Sequence, residues 1–152
     1  SASALADLRG TGGETVRVVE QGTGRLCGYV DNAASHRTVH EGAVYTHQGE
    51  TFVVHELDLD AAVALVEETP VDYTTFARDI SNIHVTGEEL SHETTPGLRI
   101  HFGEVEVTSQ TVSFTRQHVT GEYLRAVLLA LPVRSRTSTA VSWTVPLTES
   151  VV

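Results

Sequence analysis

The sequence predicts a mainly β fold, an antiparallel small barrel or sandwich built from hairpins with one or two short helical turns. Three observations carry this reading. Apolar and polar residues alternate at period two in one short run after another, the pattern of a strand with one buried face. Turn residues punctuate those runs about every 8–12 residues, as in sandwiches and barrels. The runs are rich in Val, Thr and aromatic residues, which suit a pleated, half-buried surface.

The elements follow in order. Residues 1–14 end in Gly10-Thr11-Gly12-Gly13-Glu14 and form a flexible lead-in. Val16 to Glu20 and Arg25 to Val30 flank Gly22-Thr23-Gly24 and make a first hairpin. Asp31 to Val39 has helical features: Asp31 or Asn32 caps, and Ala33-Ala34 favours a turn. From His36 to Leu59 the chain reads as a second hairpin, with its turn at His47-Gln48-Gly49-Glu50 and its return run from Thr51 to Leu57. Ala61 to Glu67 alternates again and stops before Pro70, and Val71 to Phe76 suits a strand or an extended edge. A weak break falls near Ala77 to Asn82. Beyond it come Ile83 to Thr86, a polar loop from Gly87 to Gly97, Leu98 to Phe102, Glu104 to Thr108 and Gln110 to Val119. Tyr123 to Leu131 is rich in Leu and Ala, which favours helix. Its bounds, Gly121 and Pro132, and its strand neighbours favour a strand instead. Thr137 to Val145 is the last strand. Residues 15–76 are therefore a hairpin subdomain, and residues 77–152 a second β segment packed on it.

Composition narrows the function. The chain has 152 residues, 40% of them hydrophobic, enough for a real core. No apolar run approaches the roughly 20 residues of a membrane span, and no signal peptide is visible. No methionine occurs, even at position 1, which suggests an excised or processed chain. Acidic residues number 20 against 10 basic ones, all Arg, giving a net charge of −10. A whole-surface affinity for phosphate backbones is therefore not expected, although a local Arg patch is compatible with it. The single Cys27 excludes an internal disulfide and a cysteine-based metal site. It sits in an apolar strand pattern and reads as a small buried hydrophobe.

No enzyme site is legible. His36 and His40 stand four apart, but no glutamate base accompanies them and the segment runs into a strand, so a structural role is expected rather than a metal site. Thr11-Gly12-Gly13 lacks the ending of a phosphate loop. Glu104 with Glu106, and Asp58 with Asp60, alternate as on a solvated face. Nucleic-acid contact is the better reading. Arg134 and Arg136 flank Ser135 and share one side of an extended segment, and Arg116 and Arg125 belong to nearby strands. Arg forks onto phosphate or stacks on a base, and Tyr45, Tyr73 and Phe76 offer stacking surfaces. The competing reading makes Tyr45 and Phe76 core and leaves the Arg residues solvated or paired with carboxylates. Trp143, if its ring is core, predicts a loss of about 3–5 kcal/mol on truncation to Ala.

Four stretches carry a resemblance: Thr15 to Val30, His36 to Asp60 with GAVYTHQGETFVVHELDLD, Val71 to Val85, and Phe102 to Trp143 with FGEVEVTSQTVSFTR and LPVRSRTSTAVSWTVP. In phrase and order they resemble the β-rich accessory region of bacterial superfamily 2 DEAD/DEAH-box DNA helicases, the group that includes a mitomycin-repair helicase with a C-terminal four-cysteine metal domain. The resemblance implies a cytoplasmic, ATP-dependent enzyme of genome repair moving 3′ to 5′ on single-stranded DNA, with ATP and Mg as cofactors of the full-length protein. For this chain it implies a non-catalytic part with no catalytic residue, no metal site and no cofactor of its own. Its partners are the other domains of the same helicase, with single-stranded DNA left open and no membrane. A purely structural spacer and a stand-alone small-ligand β-barrel are the alternatives. The spacer predicts an exposed apolar patch, and the barrel predicts a deep polar pocket.

Overall fold

The structure is a computed structural model that describes residues 14–87 and 90–145. Of the predicted lead-in, all but Glu14 lies outside the described residues. The fold is mainly β, as expected. The described residues form two compact units, 14–79 with 111–131, and 80–87 and 90–110 with 132–145.

The first unit is a five-stranded sheet in the order β2-β1-β5-β4-β3. Strands β1 (Thr15–Glu20) and β2 (Leu26–Asp31) form the first predicted hairpin. Its turn uses Gly22 and Gly24 at φ of 94° and 72°, backbone that side-chain-bearing residues resist. Helix α1 (Asn32–Thr38) follows. Asp31 occupies its N-cap position without a side-chain cap bond, and within the helix Ser35 Oγ donates to Asn32 O at 2.8 Å. The central hairpin is shorter than the sequence suggests. Residues His36 to Thr38 are helical, and the first strand, β3 (Val44–His47), starts only after a turn at Gly42. Its turn to β4 (Glu50–Asp58) is Gln48-Gly49, both at positive φ (50° and 80°), the turn that matches strand twist. Strand β5 (Val63–Glu68) pairs antiparallel with β4 and parallel with β1.

The core joins one face of this sheet, Val16, Val18, Cys27, Val30, Phe52, Val54, Ala64 and Val66, to Val39 and Ala43 of the connection between α1 and β3. Cys27 is buried as expected, and burial pushes its thiol pKa up. The sheet curls, so that a Cβ added to Gly28 on β2 would stand 2.5 Å from the Tyr45 hydroxyl on β3, the opposite edge strand. Arg25 fastens the same seam with a fork onto Glu50 at 2.8 and 3.3 Å.

His40 is 1% exposed, with its ring 4.6 Å from that of Phe114. Its Nδ1 bonds to the Glu41 carbonyl at 2.9 Å, which requires the proton there, and Nε2 is buried with no partner among the described residues. Burial pulls the ring's pKa below the usual 6.5 despite that bond. The folded form therefore resists a proton that the unfolded chain accepts. Stability is full above about pH 6.5 and falls as pH drops below it. Urea melts between pH 7.5 and 5 are expected to show this loss, and His40→Leu to flatten it. Equal pH slopes in both proteins would contradict the assignment.

Strands β6 (Tyr73–Val85) and β8 (Leu98–His118) each contribute to both units. β6 runs through residues 77–82 without interruption, and β8 continues through Gly103 and Ser109 as a single strand. In the first unit, β9 (Val127–Leu128) pairs with Ser113 and Phe114 of β8, so the Leu- and Ala-rich stretch expected as one strand holds only a two-residue strand, and it is not helical. In the second unit, the stretch expected as a polar loop contains β7 (Leu90–Thr95), turned back onto β8 by Pro96 and by Gly97 at φ 87°. Strand β10 (Arg134–Thr144) pairs along β8 from Arg99 to Ser109. Trp143 is 68% exposed, so it is not core, and Trp143→Ala is expected to change stability by no more than about 0.5 kcal/mol.

Candidate nucleic-acid interface

Side chains directly paired across an antiparallel ladder lie on the same side of the sheet. The β8–β10 register therefore fixes the two sides of the second unit. Arg134 faces Ser109, Arg136 faces Val107, Ser142 faces His101 and Thr144 faces Arg99. One side of β10 thus reads Arg134, Arg136, Ser138, Ala140, Ser142, Thr144, and all but Ala140 carry a donor. The His101–Thr144 side-chain bond at 2.6 Å, between His101 Nε2 and Thr144 Oγ1, confirms that both groups share that side. Arg99 lies there too, 3.6 Å from Glu93 and donating to Ser91 Oγ at 3.3 Å. Arg136 is exposed and Arg134 partly so.

The first unit brings a second set together. The Arg116 guanidinium lies 5.5 Å from the centre of the Tyr73 ring and 5.8 Å from that of Phe114. Its Nε is buried without a hydrogen-bond partner among the described residues, so the two aromatic faces hold it in place. Leu124 N–H donates to Arg116 O at 2.9 Å, which sets the exposed Arg125 beside that segment. Tyr45 stands elsewhere. It packs against the core and stacks on His47 at 6.1 Å, and burial raises its hydroxyl pKa.

Arg25 and Arg37 of the first unit meet carboxylates. Arg25 meets Glu20 at 3.3 Å and Glu68 at 3.8 Å besides Glu50, and its pKa is raised by the Glu50 hydrogen bond first. That bond holds Glu50 low, while contact with Glu50 raises Glu68. Arg37 pairs with Asp79 at 3.3 Å. Among the described residues no group of three His, Cys, Asp or Glu side chains is placed to hold a metal ion. No helix among them is long and apolar enough to cross a membrane. The sequence reading missed Arg99 and His101. Their period-two spacing on β8 was visible, but the strand they face lies some 40 residues further along, and only the register joins them.

The fold defines a β-rich domain with Arg side chains gathered on two strand segments. No protein-family model matches the chain. Over 116 residues it is 28% identical to the uncharacterized ATP-dependent helicase YprA of Bacillus subtilis, covering 74% of this chain and 15% of that protein. Over 71 residues it is 28% identical to the ATP-dependent helicase hrq1 of Schizosaccharomyces pombe, covering 47% of this chain and 7% of that one. Among solved structures, the DUF1998 helicase MrfA bound to DNA superposes with a TM-score of 0.74 at 24% identity, covering 95% of this chain and 20% of that one. The chain thus has the fold of a β-rich part of a helicase of the MrfA group, and it spans a fifth or less of the length of these three relatives.

Proposed function

We propose that this chain is a non-catalytic accessory module of an ATP-dependent DNA helicase acting in DNA repair, and that it lays the Arg134–Arg136 side of β10 along single-stranded DNA. The observation that carries the reading is the register, which sets two Arg and three hydroxyl side chains on one side of an exposed strand. Arg and hydroxyl groups are the usual partners of phosphate oxygens. The structural relative bound to DNA supports the class of ligand. Arg116 on Tyr73, with Arg125 beside it, is a second contact of the same kind in the first unit. ATP and Mg act outside this chain, whose sequence has no lysine and therefore no Gly-Lys ending of a phosphate loop. The site of action is the cytoplasm, and the full enzyme moves 3′ to 5′.

Arg134→Ala with Arg136→Ala tests this. Anisotropy of a labelled single strand at low salt is expected to show binding weakened by roughly 10-fold or more, at about 1 kcal/mol or more per contact. The melting temperature is expected to stay at that of the parent. Unchanged affinity would assign these residues to the surface alone.

A further inference from the structure

The two edge strands of the first unit's sheet, β2 and β3, approach each other without forming a ladder. Gly28 permits the approach. It leaves room for the Tyr45 hydroxyl and for the His47 ring, which stands 3.6 Å from where its Cβ would be. Between the edges opens a cavity of about 460 Å³, within the roughly 300–1,000 Å³ of small-molecule sites. Cys27 and Phe52 are its buried apolar lining, and the rings of His47 and Tyr29 and the Gln48 side chain line it nearer the solvent.

Charge decides what enters. Arg25, in the same lining, is held by Glu20 at 3.3 Å, Glu50 at 2.8 Å and Glu68 at 3.8 Å. Three carboxylates around one guanidinium leave negative charge in excess and no open fork for phosphate, so anionic ligands are repelled. A neutral planar ring is not. Aromatic side chains stack on any base, and an amide pairs with a base edge. The Gln48 amide is available for this, with no hydrogen bond of its own among the described residues. Its backbone is a second observation. Gln48 and Gly49 stand at φ 50° and 80° in the two-residue turn between β3 and β4, where Asn, Asp or Gly is the unstrained choice at the first position. A Gln held there costs stability, and residues kept in such conformations collect at binding sites.

We propose that this cavity takes one unstacked nucleobase, with its ring against His47 and Tyr29 and its edge paired to the Gln48 amide. Adenine fits best: its N6 amino group donates to Gln48 Oε1, and Gln48 Nε2 donates to its N7. Sugar and phosphate stay outside, away from Glu50 and Glu68. The cavity's chemistry stands on its own, but a base from a single strand as its source rests on the proposed DNA contact.

The 152-residue chain is titrated with adenosine, AMP and ATP, and followed by NMR through the amide signals of Gly28 and Gly49. Adenosine is expected to shift both signals, AMP to bind several-fold more weakly, and ATP more weakly again. Gln48→Gly removes the amide and relieves the turn, so it is expected to melt no lower than the parent while binding adenosine several-fold more weakly. No shift with adenosine, ATP binding more tightly than adenosine, or unchanged affinity in Gln48→Gly would overturn the proposal. A labelled oligo-dA strand separates the sources. Displacement of the strand's signal by adenosine would support a strand base in the cavity. Adenosine binding with no strand binding would fail the DNA reading while supporting the cavity, and strand binding without adenosine binding would overturn the cavity alone.

Discussion

Phe52→Ala is expected to destabilise the first unit by about 3–5 kcal/mol, the usual cost of emptying a large aromatic site in a core. Phe52 is 1% exposed near the start of β4, opposite Tyr45 on β3 and Glu68 on β5. Its ring lies 6.4 Å from that of Tyr45 and carries the Arg25 guanidinium 6.0 Å above it. Truncation removes apolar burial and the surface on which the Arg25–Glu50 fork rests. Domain stabilities run at about 5–15 kcal/mol, so little would remain. Urea denaturation checks this, with Tyr29→Ala, at a 61% exposed position, as the control expected to stay within about 0.5 kcal/mol. A loss below about 1 kcal/mol for Phe52→Ala would mean that the ring is not a core anchor.

Gly42→Ala is expected to cost about 2–5 kcal/mol, from two causes. Gly42 sits at φ +86°, a left-handed conformation that costs a residue with a Cβ about 1–2 kcal/mol. A Cβ there would also stand 2.7 Å from Cζ of Phe114, and overpacking typically costs about 1–3 kcal/mol. The backbone cannot slide away freely, because Gly42 N–H donates to Val54 O at 2.8 Å. Phe114 in turn packs on the buried His40 ring. Gly49→Ala separates the two causes: its φ is +80°, but nothing lies within 4 Å of the new Cβ. Equal losses in the two variants would show that Phe114 yields at no cost.

The local features of this fold were legible because their causes are local. Gln48-Gly49 sets the central hairpin, Gly22 and Gly24 set the first, and the alternation in β10 places Arg134 and Arg136 on one side. Features fixed by distant partners were not. The parallel pairing of β1 with β5 joins Arg17 to Val63, and no short-range pattern announces it. β7 hid inside a polar stretch because all its side chains are exposed, leaving no apolar alternation to read. His36 fell both in the helix-like stretch Asp31–Val39 and at the start of the hairpin run, and the helix holds it, as a buried residue of α1. Trp143 shows the same limit from the other direction. A lone tryptophan in a β-rich run suggests a core ring, and only the sheet's geometry reveals that nothing among the described residues covers it.

Contact of this acidic chain with DNA through a local line of Arg side chains is what remains to be measured. The direct measurement is anisotropy of the whole chain with a labelled 3′-tailed duplex across a salt series. The account predicts binding at low salt whose logarithm falls with log salt at a slope of about −0.7 per phosphate contacted on the single strand, and a shallower slope when Arg134 and Arg136 are replaced by Ala. No binding at the lowest salt, or binding indifferent to salt, would contradict it and leave the chain as a structural spacer.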